Sequence, residues 1–190
     1  MPGWLLIVLI VGVPVLLFVA LYNSLIADQA QVKNGWAQID VQLKRRSDLI
    51  PNLVESVKGA MSHERDTLEN VVKWRNQAVA LQGSDDLAAR VKAENRLSGG
   101  LGRLLAVMEN YPQLRATENI ARLQEELSST ENRISFARQH YNDVATNFNT
   151  RAAQIPTNII AGIASMKPFP LFEVSDAAER AAPKVSLSKP

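Results

Sequence analysis

Between Trp36 and Leu81 the apolar side chains recur alternately three and four residues apart. The set is Trp36, Ile39 and Leu43, then Ile50, Leu53, Val57 and Ala60, then Val71, Trp74, Ala78 and Leu81. That spacing gathers them on one side of an α-helix, and the residues between are mostly polar. A helix with one apolar side is not stable alone in water at this length, so the pattern demands a covering surface. Arg46, Glu64 and Thr67 fall where the seam calls for apolar residues. Pro51 lies inside the run, lacks an amide hydrogen and crowds the preceding turn. A kink or short break is therefore expected near Asp48–Pro51.

A second long pattern supplies a partner. Ile120, Leu127, Ile134, Tyr141, Phe148 and Ile155 recur every seven residues, with Leu123, Ala137 and Val144 interleaved and Thr130 and Arg151 as faults. A seven-residue apolar repeat is the pattern of knobs-into-holes packing. It predicts a helix from Glu118 to about Gln154, with Thr117 at its cap.

Between the two, Leu87, Val91, Leu97, Leu101, Leu104, Leu105 and Met108 mark a helix over about Asp86–Asn110. Gly83 suits the preceding helix end, and Ser84 or Asp85 the next cap. Gly99, Gly100 and Gly102 within this helix cost roughly 1 kcal/mol each against Ala. They mark either a close approach to a neighbouring helix or a local break. Tyr111-Pro112 ends the helix, and a loop is expected to Ala116.

Residues 1–27 carry no charged side chain. From Trp4 to Tyr22 a helix would span roughly 27 Å, close to the hydrocarbon thickness of a bilayer. Trp4 and Tyr22 stand at its two ends, where amphipathic aromatics belong. A cleaved signal peptide is the rival reading. It is disfavoured by the absence of Lys or Arg before the apolar run and of a clean small-x-small site after it. Bases lie only on the carboxyl-terminal flank, beginning with Lys33, which favours a cytoplasmic soluble part. Helix is expected to continue from the span into the Trp36 seam.

The fold class expected is all-α: an N-terminal transmembrane helix continuing into an antiparallel bundle of long helices. Residues 1–27 form the anchor, 28–155 the bundle, and 156–190 an apolar segment and tail. In that segment Ile159, Ile160, Ile163, Met166, Phe169 and Phe172 ask for a covering surface and are the candidates for self-association. The bundle's own end, the membrane surface or another copy of the chain could provide it.

Lys and Arg number 21 and Asp and Glu 19, so the net charge is only +2. No basic cluster is interleaved with aromatics, and nucleic acid is not an expected partner. There is no cysteine, which excludes disulfides and thiol chemistry. His63-Glu64 begins like a zinc-protease signature, but Thr67 stands where the second histidine would be. No phosphate loop, nucleophile elbow or dinucleotide fingerprint appears. Neither a metal nor a cofactor is implied. Arg45, Arg46, Asp48 and Glu55 are instead candidates to pair with Glu131, Arg133 and Arg138 across the bundle, or to form a docking face.

Several motifs resemble the bacterial LemA family. They are Tyr22-Asn23, the run Trp36 to Arg46, Asp48 to Glu55, His63-Glu64 and Leu105 to Pro112. Leu123 to Leu127, Thr130 to Ile134, Ala137-Arg138, Tyr141-Asn142 and Phe148-Asn149 complete the set. Ser47 departs from the usual aromatic, and Ile155 stands where Phe is frequent. The resemblance implies a membrane anchor and a long-helix antiparallel bundle. It implies no enzymatic activity, because none is established for the family.

The function expected is a non-enzymatic scaffold that self-associates at the bacterial inner membrane. Its partners are the lipid bilayer and further copies of the chain. The alternative is an adaptor that docks another membrane protein through the face from Gln42 to Glu55.

Overall fold

The computed structural model describes residues 3–84 and 86–172; of the side chains of residues 3–8 and 115 nothing is described. Helix α1 runs from Gly3 to Val57. A short 3₁₀ turn at Ser62–Glu64 leads into α2, Arg65–Ala80. Helix α3 covers Leu87–Met108, α4 Pro112–Arg115, α5 Glu118–Ala153 and α6 Thr157–Ile163. Among the described residues there is no strand.

The first helix begins with the apolar run. From Leu9 to Val19 its large side chains lie open to the surroundings, as a membrane span requires. Burial begins at Leu25 and continues through Val32, Trp36, Ile39 and Leu43 to Ile50, Leu53 and Val57. Tyr22 sits where one regime gives way to the other; the side chain of Trp4 lies outside the described residues.

Helix α5 lies antiparallel along α1. Asp28 meets Arg151, Trp36 meets Tyr141, and Arg46 meets Glu131. Helix α2 turns back beside α1, and α3 turns back again, so α3 runs parallel to α1 with Arg90 on Asp40. The result is an up-down-up-down bundle of four long helices. Ile120, Leu127, Ile134, Tyr141 and Phe148 of the seven-residue repeat are all buried. Ile155 is 83% exposed because α5 has ended two residues earlier.

Three local expectations are corrected. The chain does not break near Pro51; α1 passes through it and turns instead at 58–64, where the seam fault Glu64 lies, while Thr67 falls on α2. The carbonyl of Ser47, which an amide at position 51 would have served, accepts a hydrogen bond from Arg75 Nε at 3.2 Å. Pro112 does not open a loop but starts the short helix α4, where its missing amide hydrogen costs nothing. Asp86 caps α3, its carboxylate accepting from Ala89 N–H at 3.0 Å.

The glycines in α3 leave it unbroken. At Gly100 the reason is contact: a Cβ there would lie 2.3 Å from Cε3 of the Trp74 ring on α2. Gly99 and Gly102 face open space.

Candidate functional site

Two apolar cores stack along the bundle. The membrane-distal one contains Ile50, Leu53, Val57, Leu68, Val71, Leu101, Leu104 and Leu127. The proximal one contains Val32, Trp36, Ile39, Leu43, Ile134, Tyr141 and Phe148. Between them lies a cluster of charges. Arg46 occupies a seam position on α1, so helical periodicity turns it inward, and its side chain is 0% exposed. Nη1 donates to Glu131 Oε2 on α5 at 2.7 Å and to Ser98 Oγ on α3 at 2.6 Å. Nη2 donates to Glu94 on α3. Ser98 in turn donates to the other oxygen of Glu131 at 2.9 Å. One guanidinium thus ties three helices at one level.

Burial pushes the Glu94 carboxyl above its ordinary range, and the charges of Arg46, Arg138 and Arg90 only partly offset this. Burial acts the same way on Glu131. There the Arg46 charge and hydrogen bond, the Ser98 hydroxyl and the Arg138 charge prevail, and the carboxyl sits below its ordinary value. Arg138 is lowered by burial and by the like charge of Arg46, against the pull of Glu131 and Glu94. Its guanidinium lies 4.7 Å over the ring of Phe172.

The other charged candidates are surface residues. Arg45 reaches Glu126 at 3.8 Å, both half exposed, and Glu55 reaches Lys58 at 3.9 Å. Asp48 and Arg133 make no ion pair among the described residues. The sequence reading missed Glu94 and Ser98, the Asp40–Arg90 pair, and the Asp28–Arg151–Ser24 group beside the span. Burial raises the Asp40 carboxyl, and Arg90 opposes it.

The segment after α6 is a strap. Residues 166–172 run extended along α5 and are held by two asparagines. Asn149 donates to Phe169 O at 2.9 Å and accepts from Phe169 N–H at 2.8 Å. Asn142 does the same for Phe172, both at 2.9 Å. Tyr141 Oη donates to Pro170 O at 2.8 Å. Burial pushes that phenol's pKa up to about 12, so it stays a donor. Seven helical residues rise roughly 10.5 Å and three extended ones about 10 Å, so the two amide pairings share one register. Phe172 then stacks on Trp36 at 5.5 Å, and Phe169 meets Phe148 edge-on at 5.2 Å.

This changes the picture of the six apolar candidates. Ile160 packs on Leu25 near the span. Met166, Phe169 and Phe172 close the proximal core. These four are engaged within the chain, while Ile159 and Ile163 are exposed at 61% and 70%. Among the described residues no three His, Asp or Glu side chains are placed to hold a metal ion.

An apolar helix carried without a break into a strapped four-helix bundle defines a membrane-associated helical protein. The LemA family model matches residues 35–187, and the chain belongs to the LemA family. It is 26% identical over 170 residues to Protein LemA of Metamycoplasma hominis, covering 89% of this chain and 76% of that one. It is also similar to Magnetosome protein MamQ 1 of Paramagnetospirillum magneticum, 24% identical over 181 residues. Magnetosome protein MamQ of Magnetospirillum gryphiswaldense is 21% identical over 183 residues. These two alignments cover 83% of this chain and 66% of each relative.

Proposed function

We propose that this chain is a non-enzymatic, membrane-anchored scaffold whose copies associate side by side, with the bundle on the cytoplasmic face of the bacterial inner membrane. The observation that carries the reading is α1, one helix from Gly3 to Val57 that makes span and bundle a single body. Copies anchored this way stand parallel in one plane. Confinement raises their effective concentration, so a small lateral contact suffices. Phe136 on α5 is 74% exposed and borders the same shallow depression as Val41 on α1, 66% exposed. Large exposed apolar side chains grouped on a flank mark an interaction surface.

Mass photometry of the full chain in lipid nanodiscs tests this. Copies above one per disc are expected, and Phe136→Glu should return the distribution to monomers. An unchanged distribution would count against the scaffold. Truncation after Gln154 is a poor test, since it also strips Phe169 and Phe172 from the core.

A second reading is the adaptor. Lys44, Arg45, Asp48, Asn52 and Glu55 form one exposed polar stripe on α1, open to another membrane protein. In-cell crosslinking with mass spectrometry separates the two. A dominant hetero-partner on this stripe favours the adaptor, and links between copies favour the scaffold.

A further inference from the structure

We propose that Ile155, Ile159 and Ile163 form a foot that sits in the lipid headgroup region beside the point where α1 leaves the bilayer. The inference rests on the reading that α1 spans the membrane up to about Tyr22. It adds a second point of lipid contact, which that reading does not contain.

Position is the first argument. Helix α6 packs through Ile160 and Ala161 on Leu25, with Leu21 against the same cluster. Leu21 belongs to the span, and Leu25 is one helical turn further, about 6 Å along the axis. The foot is thereby held at the height where hydrocarbon gives way to headgroups. Arg151, bound to Asp28 and to Ser24 at 2.8 Å, fixes the end of α5 at the same level.

Chemistry is the second. Residues 152–166 carry no charged side chain. Ile155, Ile159 and Ile163 are 83%, 61% and 70% exposed, while the opposite side of α6 is spent on Leu25. Leaving three isoleucines in water forfeits the stabilisation that apolar burial brings. A bilayer boundary that already receives the neighbouring span covers them without a further protein. Tyr22, Lys33 and Lys167 line a groove at this end of the bundle. The amphipathic ring of Tyr22 and the Lys167 ammonium suit the phosphate layer, while Lys33, eleven residues and about 16 Å further along α1, stands above it.

The absence of cysteine makes the test direct. Single-cysteine variants Val13→Cys, Ile159→Cys, Ile163→Cys and Ser62→Cys of the full chain carry an environment-sensitive fluorophore. Each is placed in nanodiscs of phosphatidylethanolamine and phosphatidylglycerol, with and without lipids spin-labelled near the headgroup or deep in the chain. Circular dichroism confirms the fold of each variant. Positions 159 and 163 should show blue-shifted emission and loss of intensity with the shallow label. Position 13 should respond to the deep label, and position 62, at the far end, to neither. A responsive position 13 with silent positions 159 and 163 overturns the foot while leaving the anchor standing. A silent position 13 overturns both. Disulfide-linked dimers of Ile159→Cys under mild oxidation, without lipid quenching, assign the face to a second copy and also overturn the proposal.

Discussion

Arg75 Nε donates to the main-chain oxygen of Ser47, the acceptor that Pro51 leaves empty four residues further along α1. A side chain from α2 thus repairs the backbone of α1. The repair makes a specific coupling. Arg75→Ala should cost about 1–2 kcal/mol in the natural chain, the value of a charge-assisted hydrogen bond plus an orphaned carbonyl. In a Pro51→Ala background the restored amide serves Ser47, and the same substitution should cost much less. A double-mutant cycle by denaturant unfolding measures the difference, and strict additivity would show that the contact carries no energy.

Arg46 holds Glu94 and Glu131 with no exposure of its own. Arg46→Ala should lower stability by about 3 kcal/mol, because the buried Glu94 loses its counter-charge in a desolvated site, while Glu131, 42% exposed, is partly served by water. Replacing Arg46, Glu94, Glu131 and Arg138 together by apolar residues, so that no buried charge is left unpaired, should restore most of that loss. Thermal unfolding of the full chain in detergent gives both numbers. A mild Arg46→Ala phenotype would mean that water enters the gap between the two cores.

The two carboxylates respond to acid with opposite signs. Glu131 is held below its ordinary value of 4.5, so its contribution is complete above that pH and is lost as pH falls through the folded value. Glu94 is raised, so its contribution is complete in acid and is lost as pH rises through its folded value. The stability gap between the natural chain and Glu131→Gln should be largest near neutrality and close in acid. Unfolding free energies measured across that range test the sign, and a gap that widens in acid contradicts it.

Gly100 and its neighbours should part company. Helix propensity alone says that Gly→Ala stabilises each site by about 1 kcal/mol. Gly99→Ala and Gly102→Ala should follow that rule, since nothing stands near their missing Cβ atoms. Gly100→Ala should instead destabilise by about 1–3 kcal/mol by driving into Trp74. Melting temperatures of the three variants decide it.

The strap should detach as a unit. Phe172→Ala removes the ring stacked on Trp36 and should cost about 3–5 kcal/mol. Asn142→Leu leaves the amide and carbonyl of Phe172 without partners and should cost about 1–3 kcal/mol. Hydrogen exchange should rise across 166–172 in both variants, with α2 and α3 unaffected.

The long elements were legible because each side chain's burial follows from the position of its own helix turn. Ile120 to Phe148 and Trp36 to Val57 needed only the 3.6-residue period. The short break allowed for near Pro51 is absent, and Arg75, which serves the carbonyl that Pro51 frees, is 24 residues away in sequence and reaches it only through the fold. The pairing partners of Arg46 were half legible: Glu131 was among the candidates, Glu94 and Ser98 were not. A usable signal was present. Arg46 and Arg151 both interrupt an apolar repeat, and both prove to be held by carboxylates on other helices. The strap had a signal too, in Tyr141-Asn142 and Phe148-Asn149, an aromatic and an amide repeated at seven residues. Only the docked backbone of Phe169 and Phe172 reveals what the amides are for.

The unbroken run of α1 gives the molecule the mechanics of a lever. From Tyr22 to Val57 it extends roughly 50 Å beyond the bilayer. A change of tilt on the order of 10°, well within what a bilayer of altered thickness imposes, would swing the far tip by about 9 Å. Lipid thickness at one end would then be written as displacement at the other, with no joint between them to absorb it.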